Sequence, residues 1–102
     1  MPAVKKFTAR QVPALLALAA TFGLDANKSD AKHYGFAPAS LRGDYLGRVA
    51  MSSDDTASMS SFAQEAERLF ADYGVHVWAR GRFVSVNWNN ESRSQSQIDN
   101  VD

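Results

Sequence analysis

The chain has 102 residues, 11 Lys+Arg against 11 Asp+Glu, two His and no Cys, with 45% hydrophobic residues. That length supports one core and not two, and the apolar content excludes a wholly disordered chain. Zero formal charge excludes a histone-like basic nucleic-acid binder, and the lack of Cys excludes a disulfide scaffold or thiolate zinc site and fits a reducing compartment.

Lys5, Lys6 and Arg10 precede an apolar run from Val12 to Leu24, an arrangement with the outline of a signal peptide. The run is shorter than the roughly 20 residues a bilayer span needs. Leu18-Ala19-Ala20 and Leu24-Asp25-Ala26 each meet only half of the small-residue rule for cleavage. The sequons Asn27-Lys28-Ser29 and Asn90-Glu91-Ser92 are short enough to arise by chance. The expectation is therefore a buried helix in a cytoplasmic protein.

The spacing predicts that helix over residues 9–22. Thr8 and Gln11 stand at capping-box distance, and an alternative start places Pro13 at the first helical position. Gly23 ends it. Val12, Leu15, Leu16, Ala19 and Phe22 form its apolar stripe, widened by Leu18 and Ala20, so protein must cover it. Residues 25–44 read as loop and short turns. Asp25, Asn27, Ser29 and Asp30 suggest a loop, Ser29 a cap for one turn before Gly35, and Pro38 another turn stopping at Gly43. Residues 44–51 fit a strand with Tyr45, Val49 and Met51 on one face. They also fit the end of a helix running from Pro38 through Leu41, Tyr45 and Val49. Gly43 and Gly47, each costing a helix about 1 kcal/mol, favour the strand.

A second, amphipathic helix carries Met59, Phe62, Ala63, Ala66, Leu69, Phe70 and Tyr73 at helical spacing. Ser58 or Ser61 would cap it, Asp54, Asp55 and Glu65 suit its positive end, and Gly74 stops it. Val75–Ala79 and Arg82–Trp88 then alternate with period two around Arg80-Gly81, which predicts a hairpin. A two-residue loop there sets Val77 opposite Val84 and Trp78 opposite Phe83. Val75, Val77, Ala79, Val84, Val86 and Trp88 share the core face, and His76, Trp78, Arg80, Phe83, Ser85 and Asn87 the other. Residues 89–102 read as a polar, disordered tail outside a single globular domain over 1–88. The fold class is α+β: helix, short strand or helical middle, amphipathic helix, C-terminal β-hairpin.

Charge is blocked along the chain. Residues 1–50 carry seven basic and three acidic side chains, and residues 51–74 one basic and five acidic. The second hairpin face is the most informative feature for function. His76, Trp78, Arg80, Arg82 and Phe83 are the candidate partner-binding residues, since Trp and Arg dominate interface hot spots. The same residues can stack bases and pair phosphates. Chemistry elsewhere is sparse. His33 and His76 are the only imidazoles, Asp30 near the first does not complete a metal-ligand spacing, and no nucleophile elbow or phosphate loop occurs. Arg42-Gly43-Asp44 would matter as a tripeptide only outside the cell.

Phe7-Thr-Ala-Arg-Gln-Val12 resembles the opening of the first helix in winged-helix DNA-binding domains. The order helix, short middle element, helix, then Tyr73-Gly-Val-His-Val and an Arg-Gly turn is also similar. The resemblance implies nucleic-acid binding through the hairpin and the basic N-terminal half. The sequence departs from the pattern where a recognition helix would carry Asp54, Asp55, Glu65, Glu67 and Asp72 against Arg68 alone, which phosphates repel. The expectation is a small non-enzymatic binding protein, without cofactor or metal, acting by protein–protein contact as a phage- or plasmid-type inhibitor or adaptor. Nucleic-acid binding is the alternative, no membrane partner is expected, and a homodimer pairing its hairpin faces would use the same aromatics.

Overall fold

A computed structural model describes residues 5–88. Its elements are α1 (Val12–Thr21), β1 (Leu24–Asp30), β2 (His33–Pro38), α2 (Ser53–Leu69), β3 (His76–Arg80) and β4 (Phe83–Asn87). One-turn 3-10 segments lie at Ala39–Leu41 and Ala71–Tyr73. The strands form one antiparallel sheet in the order β1-β2-β4-β3, so two hairpins stand side by side with β2 and β4 inside. Both helices cover the same face. Their residues Leu15, Ala19, Met59, Phe62 and Ala66 share a core with Phe36, Val84, Val86 and Trp88.

The fold is α+β with two helices, but the strands are not confined to a C-terminal hairpin. Residues 25–30, read from sequence as loop, are strand β1, and Ser29 lies within it rather than capping a turn. β1 is an outer strand exposed along nearly its whole length, so it lacks the apolar alternation that marks a half-buried strand. Between α1 and α2, where a winged-helix order calls for a helix, the chain forms the β1–β2 hairpin. Residues 44–50 are neither strand nor helix. Tyr45 and Val49, whose spacing suggested a shared face, are exposed, as is Leu46 between them.

Local chemistry sets the helix ends. Thr8 and Gln11 form half of a capping box: the Gln11 Oε1 accepts from Thr8 N–H at 2.8 Å, but Gln11 N–H donates to the Thr8 carbonyl, not its hydroxyl. Pro13 falls in the first turn of α1, where no intrahelical donor is missed. Gly23 follows the helix with φ +73, a conformation open to it without a Cβ clash. α2 starts a turn or more earlier than Ser58 or Ser61. Ser52 is the cap, its hydroxyl accepting from Asp55 N–H at 3.0 Å. Leu69, on the flank of the stripe in the last turn, is exposed rather than core.

Two aromatic groups fill the interior. Phe36 stacks obliquely on Phe62 with centroids 4.8 Å apart, and Phe22 meets Phe62 at 6.4 Å. At the other end Phe7 sits between Trp88, at 4.4 Å, and Phe70, at 5.1 Å. Phe7 is held there by the preceding segment, where Lys5 N–H donates to the Asp72 carbonyl at 3.0 Å. The predicted tail, 89–102, lies outside the described residues.

Candidate functional site

The helices leave one face of the sheet without a covering element among the described residues, and the side chains on that face follow from register. The β3–β4 turn is Gly81-Arg82, not Arg80-Gly81, so Val77 pairs with Val86 and Trp78 with Ser85. Gly81 has φ +58 at the first central position, the pattern of a type II′ turn, which suits the strand twist. The shift from the predicted register is two residues, an even number, so every side chain keeps its face. His76, Trp78, Arg80 and Phe83 therefore lie on the open face with Ser85 and Asn87. Trp78 is 38% and Phe83 40% exposed, and the Arg80 guanidinium lies 5.4 Å from the Trp78 ring centroid. Arg82 lies in the turn itself and, with Phe83, lines the adjoining cavity.

β2 brings His33, Gly35 and Ala37 to the same face, residues that sequence reasoning did not join to the hairpin. His33 Nε2 and Ser85 Oγ are 2.6 Å apart, and Ser85 is 3% exposed. That is hydroxyl–imidazole spacing, yet the hydroxyl is too buried to reach a substrate, so the pair acts to satisfy a buried polar group. His33→Ala should cost about 1–3 kcal/mol by leaving that hydroxyl unpaired. Urea titration would show it as a lower midpoint with an unchanged slope.

Gly35 occupies the middle of an inner strand. Among the described residues a Cβ there would meet only the Asn27 carbonyl, at 3.9 Å. Packing does not demand the glycine; its effect is to leave the floor of a cavity open. That cavity is about 670 Å³ and lies between β1, β2, the 41–45 segment and the start of β4. Asn27 and His33 offer polar atoms near the floor, Phe83 supplies an aromatic wall, and Tyr45 stands at the mouth.

The rim is braced by two ion pairs. Arg42 holds Asp25 with two bonds, at 2.7 and 2.8 Å, and this hydrogen bonding keeps the Asp25 carboxyl below its ordinary pKa. Both groups face solvent, so the pair orients the rim more than it stabilises the fold. Asp44 is a denser junction. Its carboxylate accepts from the backbone N–H of Arg48, at 2.9 Å, and Val49, at 2.8 Å, and from Arg82 Nη2 at 2.7 Å. Arg82 also donates to the Val49 carbonyl at 2.6 Å. One carboxylate thus ties the 44–49 loop to the β3–β4 turn. The loop projects Tyr45, 93% exposed, and Leu46 outward.

The two backbone donors, from Val49 and then Arg48, are the main reason the Asp44 pKa is depressed below 3.8, with the Arg82 charge adding to them. A depressed carboxylate contributes in full above its unfolded value and loses that contribution as pH falls through the lower folded value. Loop anchoring should therefore be constant from pH 8 to 5 and fail only below about pH 4. Asp44→Ala should mimic the acid state at neutral pH, with trypsin cleaving after Arg48 at least about tenfold faster in a still folded protein.

No protein-family model, curated protein or solved structure matches this chain.

Proposed function

We propose that the protein is a small binding module that seats a segment of a partner protein on the open face of its sheet, serving as an inhibitor or adaptor by occupying that partner. The observation that carries this reading is the side-chain-free floor at Gly35 beside Phe83, with Trp78 two strands away on the same sheet face. A strand glycine weakens its own strand and often marks a place where a ligand or another backbone approaches closely. Exposed aromatics around a concave floor are the usual anchors of a protein interface. The charges around the cavity favour a protein segment over nucleic acid. Asp25 and Asp44 each neutralise an arginine, Arg42 and Arg82, so the rim has no positive excess for phosphates.

The test has two steps. Tagged protein is used to capture a partner from host lysate with and without nuclease, and the captured protein is then purified and titrated. Trp78→Ala and Phe83→Ala should each weaken binding by more than 1 kcal/mol, about fivefold, with a shallow dependence on salt. Capture that vanishes with nuclease, or affinity unchanged in folded variants, overturns the reading.

A further inference from the structure

The two outer strands of the sheet are built differently. β1 carries Asp25, Lys28 and Asp30, and its register with β2 shifts between Lys28 and Asp30. Charges and a bulge are the devices that stop an outer strand from pairing with another chain. β3, His76-Val77-Trp78-Ala79-Arg80, has no acid, no proline and no bulge, and its register with β4 is unbroken over five pairs.

The turn fixes which backbone groups of β3 face outward. In a two-residue hairpin the closing pair, Arg80 and Phe83, is hydrogen-bonded, so Trp78–Ser85 and His76–Asn87 are hydrogen-bonded pairs as well. Val77 and Ala79 then direct N–H and C=O away from β4. The far side of β4 obeys the same parity, with Trp88 N–H donating outward to the Lys32 carbonyl at 3.1 Å. Among the described residues, nothing bonds the outward groups of Val77 and Ala79.

We infer that β3 pairs antiparallel with β3 of a second copy, about a two-fold axis at Trp78. In that register Val77 N–H donates to the Ala79 carbonyl of the second copy, and Ala79 N–H donates to its Val77 carbonyl. The symmetry repeats both, giving four backbone bonds. A second copy suits this edge because its central pairs, Val77 with Ala79 and Trp78 with itself, fit each other. Branched Val77 faces small Ala79 on the helix side. Trp78 faces its own counterpart in a non-hydrogen-bonded pair, where the strands approach most closely and aromatic pairs gain most. The rim pair is Arg80 with His76. The two open faces become one eight-stranded surface, and α2, which packs across β3, comes beside its counterpart. The closed symmetry uses up the edge, so pairing stops at two. This inference is independent of the docking reading.

Sedimentation equilibrium of the full chain from micromolar to millimolar concentration should show monomer passing to dimer, with no larger species. Ala79→Pro deletes the outward N–H without touching a β3–β4 bond and should weaken association at least about tenfold. Ala79→Glu, at an exposed position, keeps the backbone but sets a charge against Val77, and should do the same if the proline variant fails to fold. The chain has no Cys, so Trp78→Cys adds a lone thiol at the two-fold axis. Mild oxidation should link it to dimer, whereas Arg80→Cys should stay single, because only position 78 meets itself within disulfide reach. A wild-type monomer throughout, or a dimer indifferent to both Ala79 variants, overturns the inference. Equal crosslinking at 78 and 80 also overturns it. Neither Ala79 substitution touches the cavity, so partner binding persisting in a monomeric variant separates this result from the docking test.

Discussion

Gly35→Val should raise the stability of the protein and, on the proposed docking reading, weaken binding of a captured partner. Among the described residues the added Cβ meets no more than an ordinary contact with the Asn27 carbonyl, so the sheet accepts it without strain. Valine suits a strand where glycine does not, a gain of up to about 1 kcal/mol. For a domain of this size that raises the melting temperature by about 4–8 °C. Its two methyl groups project into the cavity floor and displace whatever seats there. Affinity should fall at least tenfold, about 1.4 kcal/mol. Calorimetric melting and titration on one sample separate the two effects. A stabilised variant that still binds would show that the partner does not use the cavity. A destabilised one would mean the glycine serves the strand itself.

Phe62→Ala should have the largest effect on stability. Its ring is fully buried, with Phe36 at 4.8 Å and Phe22 at 6.4 Å, so truncation leaves a cavity bounded by a strand and two helices. The expected cost is about 3–5 kcal/mol. Domains of this size are stable by roughly 5–15 kcal/mol, so the loss is a large fraction of the total and the variant is close to unfolding at physiological temperature. Leu69→Ala, on the same helix and in the same sequence pattern, should change stability by less than about 0.5 kcal/mol because that side chain faces solvent. Urea titration of both tests whether the core is centred on Phe62, and similar losses would overturn that placement.

That contrast shows where sequence reasoning is reliable. The periodicity of α2 identified Met59, Phe62, Ala66 and Phe70 as buried, because a long helix against a sheet must repeat its apolar face. It included Leu69 wrongly, since that position lies on the flank of the stripe, while Phe70 one residue on packs against Phe7. The hairpin faces were legible even though its turn was misplaced by one residue, because the resulting slip was even. β1 was not legible. Leu24-Asp-Ala-Asn-Lys-Ser-Asp30 belongs to an outer strand whose residues satisfy solvent more than core, and it has the composition of a loop. The candidate site was accordingly half visible. His76, Trp78, Arg80 and Phe83 stand out by local alternation, whereas Gly35 and His33 join them only through the long-range pairing of β2 with β4, and Asn27 through β1 beyond it. Arg82, next to them in sequence, reaches the cavity at its rim, where it pairs with Asp44.

The Asp44 junction has a kinetic consequence. The amide protons of Arg48 and Val49 are held by a side chain, not by a helix or sheet carbonyl. Their exchange with solvent deuterium therefore needs only a swing of one carboxylate, with the core intact, and will proceed by a local opening far less costly than global unfolding. The same two amides report on Arg82, since losing its bonds to Asp44 and the Val49 carbonyl frees the carboxylate to swing. Strain at the hairpin tip thus reads out 33 residues earlier in the chain, at two protons, before any strand has separated.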